Sequence, residues 1–317
     1  MKILVTGSSG FIGYHLIKNL NSIGYEVVGI DDHNDYYDPK LKKRRNELLR
    51  SDLFTFYQTS IHDLDDISHE FDVAINLAAQ AGVRAHKDRE HLYKDTNIDG
   101  FEKFCNFCKR KNINKVIYAS SSSVYSDENN GEFFENRSKI MPKSVYGKSK
   151  LHNEEYAQKN CMKNNVNMVG LRFFSVYGPW GRPDMAYYLF TEQLKNKKPI
   201  TLYNNGQMYR DMTYIDDIID GIVSSIEYIS NKKDLGSHEI FNLGNNKPVS
   251  TIELLEQLKK NMNLIKNVSV ITKDSKNESY YTHASIEKAQ RILGYNPKVS
   301  FITGISNFLE WHEKYTK

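Results

Sequence analysis

The sequence contains little cysteine, no long apolar run and almost no excess of charge of either sign. Three cysteines cannot form a disulfide framework, so we expect a reducing, cytoplasmic compartment. No apolar stretch reaches the ~20 residues of a membrane-spanning helix, and residues 2–5 already predict a strand, so we expect neither a membrane anchor nor a signal peptide. The 43 basic and 39 acidic residues give a net charge of +4, too small and too scattered to indicate nucleic-acid binding.

Two local patterns resemble binding sites but are better explained by ordinary packing. The basic run at residues 40–45 is predicted to form the solvated face of a helix. Cys105 and Cys108 form a C-x-x-C pattern, but their neighbours are typical of a helix and no second cysteine pair completes a metal site. We therefore predict no metal and expect both thiols to pack on one helical face.

The first 120 residues alternate strand-like and helix-like segments, which is typical of a parallel sheet covered by helices on both faces. Continuous apolar strands suit burial on both sides. The pattern predicts an α/β fold of the Rossmann type, a doubly wound parallel sheet. The predicted strands are residues 2–6, 26–31, 54–59, 73–77, 115–120 and 167–173, and the predicted helices are residues 11–22, 91–111 and 146–163.

The turn after the first strand has the composition of a dinucleotide site. Gly7, Gly10 and Gly13 form a G-x-x-G-x-x-G pattern between a strand and a helix. The first permits a tight turn, the second lets the backbone approach a pyrophosphate, and the third lets the helix pack on the strand. Asp31 ends the second strand, beside Asp32, and is placed to bind the adenosine ribose. A carboxylate there repels a 2′-phosphate, which favours NAD over NADP.

The glycine spacing resembles the extended short-chain dehydrogenase/reductase family, and so do residues 76–80 and 96–100. Ser60-Ile61 stands where that family usually has an Asp-Ile pair near the adenine. The resemblance implies an NAD site formed by Gly7, Ser9, Gly10, Phe11, Ile12, Gly13, Asp31, Asp32, Asn34, Ile61, Leu77, Ala78, Ala79, Gln80, Asn97, Ser120, Tyr146, Lys150 and Phe173.

Tyr146 and Lys150 form a Y-x-x-x-K pattern after the serine-rich residues 120–123. Residues four apart share one helical face. A nearby ammonium and a nicotinamide cation would lower the tyrosine pKa from its usual ~10, which would make it a base near neutrality. The family alignment puts the serine that orients the substrate hydroxyl at Ser121. Ser123 would face the same side of a strand and remains a rival.

The second half of the chain is mixed, with Gly-, Pro- and Asn-rich loops, a helix near residues 189–195 and short strands. We predict an NAD-binding Rossmann domain at residues 1–172, with a return segment near 213–236 that contains a helix at 216–227. Residues 173–212 and 237–317 are assigned to a smaller mixed α/β domain that binds the nucleotide sugar.

Longer segments resemble UDP-glucuronate 4-epimerases: residues 35–38 with the basic run after them, 80–84, 172–186 and 210–217. In that family Arg182 would contact the sugar carboxylate and Arg210 the diphosphate. An arginine fork matches a carboxylate in a way that lysine cannot. Phe173 and Ser175 would line the nicotinamide and the sugar, and Arg84 is a second candidate cation or a structural ion-pair partner. The full implied substrate set is Arg84, Ser122, Ser123, Ser175, Arg182, Met185, Arg210 and Glu278.

The resemblance implies an NAD-dependent nucleotide-sugar epimerase. Tyr146 would remove the C4 hydroxyl proton while hydride passes to NAD. The 4-keto sugar would then rotate and regain the hydride on its other face. No external reductant is needed, so retained cofactor is expected. A homodimer through helices near residues 91–111 and 149–163 is also implied.

Several alternatives remain open. Dehydratases carry an Asp-Glu pair, and UDP-xylose-forming decarboxylases a Glu, where this chain has Ser122-Ser123, so both are less favoured. A neutral UDP-hexose or UDP-N-acetylhexosamine is possible if Arg182 does not face the substrate. Residues 275–278 stand where the family has a Pro-Gly-Asp stretch that contributes to its nucleotide pocket. Despite this departure, UDP is the predicted nucleotide. A non-catalytic NAD-binding sensor or scaffold would have no reason to keep the tyrosine, lysine and serine together.

Overall fold

The computed structural model describes residues 1–82, 89–125, 131–136, 140–264, 269–274 and 280–315. Its strands are β1 (Lys2–Thr6), β2 (Glu26–Ile30), β3 (Phe54–Tyr57), β4 (Val73–Asn76), β5 (Lys115–Ser121), β6 (Asn167–Phe173), β7 (Ser175–Tyr177), β8 (Ile200–Tyr203), β9 (Tyr209–Tyr214), β10 (His238–Leu243), β11 (Pro248–Ser250) and β12 (Val270–Lys273). Its helices are α1 (Phe11–Ser22), α2 (Pro39–Leu48), α3 (Gly100–Arg110), α4 (Val145–Asn160), α5 (Ala186–Lys195), α6 (Ile215–Asn231), α7 (Thr251–Asn261), α8 (Glu287–Leu293) and α9 (Phe301–Tyr315).

Seven parallel strands form the main sheet in the order β10-β6-β5-β4-β1-β2-β3. The chain runs outward from β1 to β3 and then returns to β4 on the other side of β1. In such sheets a crevice forms outside the carboxyl ends of the strands, where the order reverses. The predicted doubly wound α/β fold is confirmed.

The strands are buried on both faces because alternate side chains pack into two separate hydrophobic cores. On β1, Ile3 and Val5 pack with α1 and α6 on one face, whereas Leu4 packs with α3 on the other. All three side chains are fully buried. Each such side chain contributes about 1.5–3 kcal/mol when removed from water, so a helix layer is needed on each face.

The predicted helix at residues 91–111 consists of two segments with different helical geometry. Tyr93–Asp99 forms a π-helical segment that leads directly into α3. Wide turns of this kind occur frequently at functional sites. On α3, Phe101, Phe104 and Cys108 are buried in the second core, and Cys105 packs against it.

The basic run on α2 is only partly a solvated face, which corrects the sequence prediction. Lys40, Lys43 and Arg44 are exposed, but Lys42 is buried and Arg45 is completely buried. Both buried cations point inward because they donate hydrogen bonds to oxygen atoms of the neighbouring loops.

The second part of the chain adds two small sheets, one of β11-β9-β7 and one of β12-β8. Within the predicted return segment near 213–236, α6 packs against α1 of the first part. Beyond that segment, β10 also joins the main sheet beside β6, in a region that the predicted boundaries assign to the second domain. Its apolar Phe241 and Leu243 are fully buried in the main core. None of the described helices has the length and apolar character needed to cross a membrane.

Candidate active site

A cavity of about 850 Å³ lies where the carboxyl ends of the main strands meet. It extends from the glycine turn after β1 to the small sheets of the second part. The predicted site residues that line it are Gly7, Gly10, Phe11, Ile12, Gly13, Asp31, Asp32, Asn34, Ile61, Leu77, Ala78, Ala79, Ser120, Ser121, Ser122, Ser123, Tyr146, Lys150, Phe173, Ser175, Arg182, Met185 and Arg210.

The glycine turn brings bare backbone to the cavity wall. Gly7 has a φ of 70°, and a Cβ there would lie 2.6 Å from the Ala78 nitrogen. A Cβ on Gly13 would lie 2.2 Å from the Gly7 oxygen. Neither position can hold a side chain, because the backbone of neighbouring residues packs against it. The first turn of α1, from Gly10 to Gly13, lines the cavity. This cradle fits an anionic diphosphate at a helix N-terminus.

Asp31 lies beside the glycine turn, at the end of β2. Its carboxylate accepts hydrogen bonds from the backbone nitrogens of Ser9 at 3.1 Å and His33 at 2.9 Å. Burial raises the pKa of Asp31, and the charge of Lys42 opposes that rise. The carboxylate is thus held rigidly at the place predicted for the adenosine ribose.

Three predicted cofactor-binding residues, Ser9, Gln80 and Asn97, do not line the cavity but lie beneath the residues that do. Ser9 is fully buried. Gln80 and Asn97 bond to each other, with the Gln80 nitrogen donating to Asn97 Oδ1 at 2.8 Å. Asn97 Nδ2 also donates to Ser149 Oγ at 2.9 Å, and Ser149 Oγ donates to the main-chain carbonyl oxygen of Tyr146 at 2.7 Å. These bonds connect the loop after β4 to the first turn of α4.

Tyr146 and Lys150, the predicted catalytic pair, project from the first two turns of α4. Lys150 is 1% exposed, and its Nζ donates to the Ala119 oxygen at 3.0 Å. Burial lowers the pKa of Lys150 to about 8. Burial also raises the pKa of Tyr146, while the Arg182 charge and a hydrogen bond from Ser121 lower it. Lys150 Nζ, the ammonium predicted to act on the phenol, lies 5.9 Å from the Tyr146 ring centroid, and Arg182 is a second cation near the phenol that the prediction did not include.

The serine run changes conformation at its middle. Strand β5 ends at Ser121, and Ser122–Val124 forms a 3-10 turn. Ser121 Oγ therefore accepts a hydrogen bond from the Ser123 nitrogen at 3.1 Å, besides its bond to Tyr146. The strand alternation that made Ser123 a rival does not extend past Ser121.

Arg182 is already paired in the cavity. Its Nε and Nη2 donate to the two carboxylate oxygens of Asp184 at 3.0 and 2.5 Å. The Tyr36 hydroxyl donates to the same carboxylate at 2.9 Å, and its ring lies 5.6 Å from the guanidinium. Burial favours the neutral acid, yet the Arg182 charge and these bonds hold the pKa of Asp184 below its usual value.

Asp184 and Tyr36 line the cavity, although no sequence pattern identified them as site residues. Both stand in segments that carry the family resemblance, but residue type alone cannot show which side chain pairs with Arg182. Arg84 and Glu278, predicted to bind the substrate, lie outside the described residues.

Comparison with known proteins agrees with this geometry. Residues 3–244 match the NAD dependent epimerase/dehydratase family. An uncharacterized protein of Methanocaldococcus jannaschii is 41% identical over 98% of this chain and 95% of its own. UDP-glucuronate 4-epimerase 4 of Arabidopsis thaliana is 36% identical over 99% of this chain and 75% of its own. The crystal structure of the Bacillus cereus UDP-glucuronic acid 4-epimerase, in complex with UDP-glucuronic acid and NAD, superposes with a TM-score of 0.91 at 34% identity, covering 99% of this chain and all of that one. The chain belongs to the NAD dependent epimerase/dehydratase family.

Proposed function

We propose that this protein is an NAD-dependent epimerase that interconverts UDP-glucuronate and UDP-galacturonate through a 4-keto sugar. The observation that carries the proposal is the meeting of three groups in one cavity: the Tyr146 phenol, the Ser121 hydroxyl bonded to it and the Arg182 guanidinium. The relatives named above as UDP-glucuronate 4-epimerases support the same choice of substrate.

NAD fits the first half of the cavity. Gly7 and Gly13 line this half without side chains, where the diphosphate would bind, and Asp31 lines it where the adenosine ribose would bind. When bound, NAD supplies a reversible two-electron oxidation at C4 of the sugar. The redox balance closes within one turnover, so no added cofactor is required.

The proton at the C4 hydroxyl is handled by Tyr146. Its ionised form is the base, and Ser121 stabilises that form by donating a hydrogen bond. The positive charge of Arg182 acts in the same direction. Lys150 donates a hydrogen bond to the Ala119 oxygen and so joins the first turns of α4 to β5. Ser121 and Arg182 oppose the rise that burial causes in the pKa of Tyr146, and the positive charge of a bound nicotinamide would lower that pKa further, so that the phenol can act as a general base.

The sugar carboxylate is assigned to Arg182, whose planar fork can donate two parallel hydrogen bonds to the oxygens of a carboxylate. In the structure that fork is held by Asp184. A substrate carboxylate must therefore share Arg182 with Asp184 or displace it. The same pairing favours a second candidate, a neutral UDP-hexose, because Arg182 already has a counterion.

Incubation of the purified protein with UDP-glucuronate and no added cofactor, followed by proton NMR, tests the proposal. We expect UDP-galacturonate to accumulate with the wild-type protein and not with Tyr146→Phe. Conversion of UDP-glucose or UDP-N-acetylglucosamine instead would keep the chemistry and refute the substrate. Carbon dioxide or a stable 4-keto product would refute epimerisation.

We further propose a cytoplasmic homodimer in which α3 and α4 of two copies pack together. The phenylalanines of α3 do not supply the contact, because they are buried within their own chain. The outer side of these helices carries partly exposed groups, including His152, which pairs with Glu102 at 2.9 Å. The thiols of Cys105, Cys108 and Cys161 are free, which suits a reducing compartment. Light scattering should give twice the mass of one chain, and a monomer mass would refute the dimer.

A further inference from the structure

Arg45 is an arginine on α2 that the proposed chemistry does not use, although it is completely buried. Its neighbour Arg44 shows the usual behaviour of a surface arginine: its side chain is 54% exposed and pairs with Glu47 at 3.1 Å. Among the described residues, no carboxylate lies within ion-pairing distance of Arg45. A buried cation without a counterion is costly to keep in a fold, so its retention calls for a reason.

The hydrogen-bond partners of Arg45 come from two distant parts of the chain. Nη1 donates to the main-chain oxygen of Ser9, within the glycine turn, at 3.1 Å. Nη2 donates to the oxygens of Trp180 at 2.6 Å and Gly181 at 3.2 Å. Gly181 is followed immediately by Arg182. One planar group thus joins the cofactor turn to the segment that carries Arg182.

The remaining contacts hold the guanidinium in one orientation. Nη1 also donates to the Tyr37 hydroxyl at 2.6 Å, and the guanidinium lies 5.5 Å from the Tyr37 ring centroid. Trp180, whose oxygen is an acceptor, has a φ of 59°. That is a left-handed conformation which costs free energy unless the surroundings enforce it. Arg45 is one of those surroundings.

The charge of Arg45 lies behind the glycine turn, whose other side lines the cavity. All of its hydrogen-bond acceptors are neutral oxygens, so its charge is available to a bound anion. The anion that fits the open side of the turn is the diphosphate of the dinucleotide. Electrostatic interactions are stronger at such a water-poor site than in solution.

We propose that Arg45 is a positioning residue that links cofactor binding to substrate binding: its charge stabilises the cofactor diphosphate through the glycine turn, and its fork holds the segment of Arg182 in place. The proposal rests on the use of a dinucleotide, as proposed above, but its first half does not depend on which sugar is the substrate.

Three variants separate the two parts of this role. Arg45→Met removes both the charge and the fork, whereas Arg45→Lys keeps a charge but cannot reach all four oxygens. Arg44→Met is the matched control, because it removes a positive charge from the same helix without touching the site. Urea unfolding of each variant reports whether the fold is kept.

The first measurement is calorimetric binding of ADP-ribose and of adenosine to protein stripped of cofactor. We expect Arg45→Met to weaken ADP-ribose binding at least tenfold with adenosine binding unchanged. Arg45→Lys should stay within about threefold of wild type for both, and so should Arg44→Met. Equal losses for ADP-ribose and adenosine, or no loss for ADP-ribose, would overturn the electrostatic half.

The second measurement is the steady-state kinetics of UDP-glucuronate conversion at saturating NAD. We expect Arg45→Lys to raise KM about tenfold with kcat within threefold of wild type, since the segment of Arg182 loses its anchor while the chemistry is untouched. An unchanged KM would overturn the coupling half. A wild-type protein inactive on UDP-glucuronate would refute the proposed substrate, and the ADP-ribose measurement would still decide the role of Arg45.

Discussion

Replacing Ser121 with alanine tests the proposed general base most closely. Ser121 donates a hydrogen bond to Tyr146 inside a buried site, and this bond lowers the pKa of the phenol. Hydrogen bonds to charged groups contribute about 1.5–3 kcal/mol. Converted at about 1.4 kcal/mol per tenfold change, that range predicts a loss of kcat/KM of roughly 10- to 150-fold.

The same substitution should also move the pH profile. Without the bond from Ser121, the pKa of Tyr146 rises further, so a higher pH is needed to ionise the base. The acid limb of kcat/KM, followed by proton NMR of the epimerised sugar up to and beyond the usual tyrosine pKa of ~10, should therefore shift to higher pH.

Ser123→Ala is the control, because the Ser123 contact to Ser121 uses its main-chain nitrogen and survives the substitution. We expect its kcat/KM to stay within about threefold of wild type. Ser121→Thr keeps a hydroxyl and should recover part of the activity. A larger loss in Ser123→Ala than in Ser121→Ala, or a pH profile that does not move, would refute the assignment.

Three further predictions concern charges in and below the cavity. Asp184→Asn frees Arg182 from its counterion, so KM for UDP-glucuronate should fall about three- to tenfold while KM for UDP-glucose stays constant. A rise in KM for UDP-glucuronate would mean that Asp184 holds Arg182 in position and does not compete with the substrate. Lys150, with a pKa of about 8, loses its charge above that pH, so kcat/KM should decline on the alkaline side. Lys150→Met should be less active and lack that decline, and an unchanged alkaline limb would contradict this origin. Glu154 and Arg172 form an ion pair at 2.7 Å with side chains 7% and 3% exposed, so Glu154→Gln should lower the free energy of unfolding by about 3–5 kcal/mol. Urea denaturation measures this, and an unchanged midpoint would show that the pair contributes little.

The parts of this molecule that the sequence could predict are those set by local patterns. The glycine turn, the alternating strands and the Y-x-x-x-K pair follow from spacings of a few residues. Each acts through its immediate neighbours. The order of the strands and the location of the cavity then follow from the general behaviour of parallel sheets.

The errors and omissions have a common physical origin in contacts between distant segments. Alternation could not decide between Ser121 and Ser123, because the strand ends between them. The charge pattern predicted Arg45 to be a surface residue, although three of its four hydrogen-bond acceptors lie 36, 135 and 136 positions away in the chain. Tyr36 lies 148 positions from Asp184 in the chain, so its hydrogen bond to the Arg182–Asp184 pair depends on how two loops fold over the cavity. Such details require the folded chain.

The central claim is that the sugar is oxidised and reduced at C4 inside one closed site. UDP-glucuronate deuterated at C4, converted by the protein in ordinary water without added cofactor, tests it directly. We expect UDP-galacturonate that keeps its deuterium at C4, because the cofactor that accepts the deuteride also returns it. Product that carries hydrogen at C4 would show exchange with solvent and would contradict the account.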